Sequence, residues 1–178
     1  MIWAGGLIPP SGNPNPRYFA YEIKECETPE PPKYGCLFTQ GYWFAKPDGS
    51  QWPVSSITFG GQSYTYAKAR AIFFSSNART GKTAAKQAFL QGLALQLSLA
   101  GGAEACSQAV TSALEDINTY FNALGFEVTA DNINTATVNL ASSGGISLAR
   151  LKEAASIISD CLNTHACNEV KPDDLCKY

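Results

Sequence analysis

Few residues in this chain have the types and spacing that chemistry requires. It holds one histidine, His165, and six cysteines: Cys26, Cys36, Cys106, Cys161, Cys167 and Cys176. Four of these residues, Cys161, His165, Cys167 and Cys176, could together supply the four ligands of a zinc site. Their spacing, C-x3-H-x-C-x8-C, matches no common zinc module, and it leaves Cys26, Cys36 and Cys106 as an odd three. Three disulfides in an oxidising compartment is the better reading of an even cysteine count, and no metal or other cofactor is expected. Spacing alone does not choose the pairing. A bridge from Cys161 or Cys167 to Cys176 would clip the tail to the last helix. One from Cys26 or Cys36 to Cys106 would tie the N-terminal residues to the helices.

Thr80-Gly-Lys-Thr83 matches the end of a phosphate-binding loop. The full motif needs glycine five positions before Gly81, where Ser76 stands, and a buried strand ahead of it, where the pattern is helical. Gly81 is expected to make a turn and Thr83 to cap the next helix. No nucleophile with a base, and no facing pair of carboxylates, can be picked out. Glu115 and Asp116 are adjacent, so on a helix they point apart. No catalytic residue is assigned, and the chain leans away from being an enzyme.

The other conspicuous group is aromatic. Phe38, Tyr42, Trp43, Phe44 and Trp52 crowd into residues 38–52, with Pro47, Gly49 and Pro53 breaking any regular element. Such rings either fill a gap in the core, with the indole donors satisfied locally, or form a stacking platform for a sugar or a protein partner. If a ligand binds, Tyr42, Trp43, Phe44 and Trp52 are the expected contacts.

The elements that must position these groups are mainly helical. Residues 83–100, TAAKQAFLQGLALQLSLA, carry one charge, Lys86, and are apolar nearly all round. A helix of that kind has to be covered by other elements. Lys86, the glutamines and Ser98 argue against a membrane span, and Gly101-Gly102 ends the helix. Around it, residues 64–75 are expected to form a helix with Tyr64, Ala67, Ala71 and Phe74 on one face, broadened by Ile72 and Phe73. A third helix is expected over 103–124, with Cys106, Val110, Ala113, Leu114, Ile117, Tyr120, Phe121 and Leu124 inward and Glu115, Asp116 and Asn118 outward. Residues 147–163 give a last helix, capped by Ser147, with Leu148, Leu151, Ala155, Ile158 and Leu162 in one stripe. Residues 132–141 fit both helix and strand patterns, and the helical neighbours favour helix. A short strand is expected at 55–59 before Gly60-Gly61.

Residues 1–35 hold seven prolines between aromatic and β-prone pieces such as Tyr18–Ile23. They read as an extended arm or the end of a preceding β unit, leaving 36–178 as the helical domain. Met1 to Asn13 has neither a basic start nor a long apolar run, so export requires a longer precursor. The fold class is therefore mainly α: a small helical bundle around 83–100, with a partly β, aromatic-rich N-terminal arm and disulfide staples. Net charge is −2 and only 16% of residues are charged, which gives no electrostatic case for nucleic acid or an anionic membrane.

The run Cys36-Leu-Phe-Thr-Gln-Gly-Tyr-Trp-Phe-Ala-Lys-Pro47 resembles the TQGYW-motif domain of large secreted or cell-surface bacterial proteins, especially of the Bacteroidetes. The likeness extends over about residues 36–167. Many such domains have a lysine and then a histidine-bearing pair after the tryptophan, where this chain has Phe44, Ala45 and Lys46. No role of that histidine carries over. The resemblance implies an extracellular or cell-surface accessory module of a protein exported by the type IX system, with other surface proteins or extracellular glycans as partners. It leads to three functional expectations. The first is a non-catalytic interaction, adhesion or structural module. The alternatives are a subunit of an extracellular filament or secretion assembly, and a glycan- or peptide-acting hydrolase.

Overall fold

The computed structural model describes residues 36–166. The N-terminal arm expected over 1–35, the tail beyond Ala166, and Cys26, Cys167 and Cys176 with them, lie outside the described residues. The described part is mainly helical, with five helices and two short hairpins: α1 (Gln40–Ala45), β1 (Ile57–Phe59), β2 (Gln62–Tyr64), α2 (Tyr66–Phe74), α3 (Ala84–Ala100), α4 (Gln108–Asn122), β3 (Ser142–Ser143), β4 (Ile146–Ser147) and α5 (Leu148–Thr164).

The α3 helix is buried over most of its surface, as its composition demands. Ala85, Ala88, Phe89, Leu90, Leu93, Ala94, Leu95 and Leu97 are all fully buried. It is covered by α5, α4, α1 and α2. The Thr83 hydroxyl caps it by accepting from the Lys86 N–H at 3.2 Å. At the other end Gly102 takes φ +95°, with Gly102 N–H on the Leu99 carbonyl and Ala103 N–H on that of Ser98. This is a Schellman closure, and it satisfies carbonyls the helix leaves unpaired. No helix among the described residues is long and apolar enough to cross a membrane.

The other helices depart from the sequence pattern in instructive ways. The α4 helix starts at Gln108 rather than 103, because Ser107 is its cap and its side chain accepts from the Val110 N–H. Val110, Ala113, Ile117, Tyr120 and Phe121 turn inward as expected. Asn118 does not simply face out: its Oδ1 accepts from the Gly60 N–H at 2.9 Å and so holds the first hairpin. Asp116 likewise turns to α5, accepting from Arg150 Nε at 2.7 Å. On α5, Ser147 caps as expected, accepting from the Arg150 N–H at 3.1 Å, and Leu151, Ala155, Ile158 and Leu162 are buried.

On α2 the expected face is reversed. Tyr64 belongs to β2, paired with Ile57. The helix begins at Tyr66, and its buried residues are Ala69 and Ile72. Ala67 and Ala71 face solvent, and Phe74 is 57% exposed. Ala69, Ile72 and Phe73 share the same three-and-four spacing, so periodicity alone could not choose between the two faces. The strand expected at 55–59 is β1, and the Gly60-Gly61 link, with φ of 52° and 74°, is the two-residue turn that joins it to β2.

Residues 132–141 are neither helix nor strand. Their asparagines take over the backbone's partners. Asn132 Oδ1 accepts from the Thr129 N–H at 2.8 Å, and its amide donates to the Glu127 carbonyl. The Asn139 amide donates to the Ile133 and Thr135 carbonyls, while its Oδ1 accepts from the Ala85 N–H at the start of α3. Side chains that satisfy local backbone groups in this way compete directly with helix formation. Ile133 and Val138 still reach the core.

Cys106 is bonded to Cys161, with the Cα atoms 6.0 Å apart. This decides among the pairings that the sequence leaves open. Cys106 does not hold the N-terminal residues, Cys161 does not clip the tail, and Cys161 is not available as a zinc ligand. Instead the bridge fastens the α3–α4 connection to α5. Cys36 is also disulfide-bonded.

Candidate functional site

The short helix α1 explains where the aromatic residues go. It fits between Thr39, in extended conformation, and Lys46, which Pro47 holds extended. Its inner side carries Trp43 and Phe44, 3% and 0% exposed. Trp43 Nε1 donates to Ser98 Oγ at 3.2 Å, and the Phe38 N–H reaches the same oxygen at 3.1 Å. Ser98 Oγ in turn donates to the Ala94 carbonyl at 3.0 Å. The one hydroxyl on this face of α3 is thus fully used in seating α1. Trp52 Nε1 and the Gln51 amide both donate to the Trp43 carbonyl, at 3.1 and 2.7 Å. Trp52 then leans on Phe44 and Tyr66.

Of the four expected contacts, Trp43 and Phe44 are therefore core residues with no surface to offer. Tyr42 and Trp52 are half-buried, and they do not form one platform with the other two. The sequence does place the rings together, but their donors close inward.

A different surface emerges beside them. Tyr42 stacks on Phe38 with centroids 3.9 Å apart, and Lys46 Nζ lies over the Tyr42 ring, 4.8 Å from its centre. Arg70 Nε donates to the Lys46 carbonyl at 3.3 Å, and its guanidinium carbon sits 4.6 Å from the Phe74 ring centre. Phe73 meets Phe74 edge-on at 4.9 Å. Lys82 Nζ lies 5.9 Å from the Phe73 ring and 3.4 Å from Gln40 Oε1, which returns the chain of contacts to α1. The result is one continuous face of alternating rings and cations across α1, α2 and the turn before α3. Cation–ring contacts at exposed sites contribute about 0.5–1 kcal/mol each, enough to orient a side chain but not to bury it. Phe73 and Phe74 were legible only as core residues; Phe74 lies beside Arg70 at a spacing of four, which was the available signal.

Behind this face is Lys86, the one charge in α3. It is 1% exposed, and its Nζ donates to the Ser75 carbonyl at 2.6 Å and to Asn77 Oδ1 at 3.0 Å. It closes the C-terminal end of α2, where a cation is favoured by the helix dipole. Burial pushes its pKa below the usual lysine value, and Lys82 nearby adds to that.

Chemistry elsewhere is sparse. A shallow cavity of about 200 Å³ is lined by Lys68, Ala71 and residues 127–131. Its two carboxylates are Glu127, which pairs with Lys68 at 2.8 Å, and Asp131. It is smaller than typical small-molecule sites and has no aromatic wall. Among the described residues no group of three or more His, Cys, Asp or Glu is placed to hold a metal ion. Thr80–Thr83 forms the turn into α3, with an Ala78–Gly81 bridge, and does not follow a buried strand. Comparison with known protein families, with curated proteins and with solved structures finds no match to this chain.

Proposed function

We propose that this chain is a non-catalytic interaction module, adhesive or structural, of a secreted bacterial surface protein, and that the α1–α2 face is its contact surface. Its helices form a bundle around α3, and the rest of the protein lies in a longer precursor or assembly at the cell surface. The observation that carries this reading is the ring-and-cation face, with Phe74 57% exposed at its edge. Large aromatic side chains and arginine are the residue types enriched where proteins bind partners. The Cys106–Cys161 bridge, the low charge density and the likeness of residues 36–47 to secreted TQGYW domains support the extracellular setting. Fixing a contact face on short helices around a stapled core keeps it ordered without a partner, which lowers the entropic cost of binding.

The test is to probe arrays of bacterial and host surface proteins and of extracellular glycans with the full chain, beside a Phe74→Ser variant whose fold is checked by circular dichroism. The expected result is binding that the variant loses. Release of products from polysaccharides or peptides by the purified chain, with no Phe74-dependent binding, would overturn the proposal in favour of a hydrolase.

A further inference from the structure

The part of the chain that builds this face is strongly one-sided in charge. Between residues 36 and 86 there are six cations (Lys46, Lys68, Arg70, Arg79, Lys82 and Lys86) and one carboxylate, Asp48. Lys68 is spent on Glu127 and Lys86 on the Ser75 carbonyl. Arg70, Arg79 and Lys82 have no carboxylate within ion-pair distance among the described residues. Arg70 is nevertheless held in place, by the Phe74 ring below it and the Lys46 carbonyl beside it. A guanidinium that is already oriented loses little freedom when it takes a carboxylate in a forked pair.

Resting on the interaction-module reading above, we infer that the α2 end of the face docks an acidic segment of a partner protein. That segment brings carboxylates to Arg70 and Lys82 and an apolar side chain to Phe74. The apolar element is required because Phe74 is the most exposed large hydrophobic residue of the described chain. Nucleic acid and anionic lipid fit less well. Both reward a long stripe of cations, whereas this cluster is short and the whole chain carries −2. Charge complementarity across such a face sets partner choice and association rate, and it is weakened by salt.

The test uses the full, disulfide-intact chain and a fluorescein-labelled peptide of about twelve residues, rich in Glu with two Leu, read by fluorescence anisotropy. Controls are the same peptide with Gln for Glu, polyuridylate, and phosphatidylserine vesicles. Saturable binding is expected, falling about tenfold or more in the R70E/K82E double variant and about threefold or more in Phe74→Ser. It should weaken as salt rises, and the Gln peptide should not bind. No binding, equal binding by the Gln peptide, an unaffected double variant, or tighter binding of polyuridylate or vesicles to the same face would each overturn the inference. A Phe74-dependent but uncharged ligand found on the arrays would remove the acidic partner and leave the module reading standing.

Discussion

The Phe59 ring lies against the backbone of Gly92 so closely that a Cβ at position 92 would come within 2.8 Å of its Cζ atom. Gly92 sits in the middle of α3, where glycine is normally a cost of about 1 kcal/mol relative to alanine. Here it lets β1 and α4 close onto α3, since Ile117 Cγ2 is only 3.2 Å from the same point. Phe59 is itself 1% exposed and wedged against Phe89 and Phe121, so it cannot step aside. Gly92→Ala should therefore lower stability by up to about 2 kcal/mol, the overpacking cost of about 1–3 kcal/mol less the helical gain of about 1 kcal/mol. Adding Phe59→Leu should recover part of that loss. Urea unfolding of the two single variants and the double variant measures the coupling; additive effects would show that the contact does not decide the outcome.

The disulfide between Cys106 and Cys161 closes a loop of 55 residues. Chain entropy then gives about 4 kcal/mol, and typical measured values are about 2–4 kcal/mol. The Cys106→Ala/Cys161→Ala chain should lose stability in that range by urea unfolding. Peptide mapping without reductant should recover both cysteines in one cross-linked species. Finding Cys106 joined to any other cysteine would contradict the described connectivity.

Much of this fold is visible in the sequence where one force dominates. The all-round apolarity of α3 demanded burial, and its ends were marked by Thr83 and by the Gly101-Gly102 pair. Ser147 marked the start of α5 in the same way. Legibility failed where two signals competed. The stripe Ala67–Ala71–Phe74 and the stripe Ala69–Ile72–Phe73 have equal periodicity, and only packing against α1 and α3 decides that the second is inward. Asn132, Asn134 and Asn139 defeat the helix suggested by their neighbours. Asn132 holds backbone groups three and five residues away, while the other two have partners that no local pattern reveals: Asn134 donates to the distant Ser76 carbonyl and Asn139 accepts from the Ala85 N–H. The aromatic cluster announced rings, but not that Ser98, more than fifty residues later, would draw Trp43 inward. The cationic face was hidden for a related reason, since it is assembled from α1, α2 and Lys82, three separate stretches.

Tyr64 predicts a loss of stability at high pH. Its ring is buried, and its hydroxyl oxygen accepts from the Val128 N–H at 3.0 Å. Burial pushes its pKa up from 10.0 to about 12, with the Glu127 charge adding to that and the Val128 hydrogen bond opposing it. A tyrosine whose pKa is higher folded than unfolded holds its proton more tightly in the native state. Its contribution is complete below pH 10 and is lost as pH climbs through 12. Tyr64→Phe should flatten that decline. At neutral pH it should cost about 1–3 kcal/mol, because the Val128 N–H is left buried and unpaired. Denaturant unfolding at neutral pH and above pH 10 separates the two effects.

Lys86 predicts the opposite slope over a lower range. Its folded pKa lies below the ordinary lysine value of 10.5, so the unfolded chain binds its proton more tightly. Between the folded pKa and 10.5 the unfolded state holds more protons, and stability must rise with pH. Lys86→Met keeps the aliphatic stem and removes the titration. The variant should lack the rise, and at neutral pH it should be weaker by about 1–2 kcal/mol, since the Ser75 carbonyl and Asn77 Oδ1 lose their donor. Because Lys86 closes the end of α2, the same variant should speed amide hydrogen exchange over residues 72–77 while leaving α5 protected. Urea unfolding from pH 7 to 10 reads the slope, and hydrogen exchange reads the local effect. A parallel slope in wild type and variant would mean that the lysine's burial carries no cost, and uniform exchange would mean that it braces the whole core rather than the end of α2.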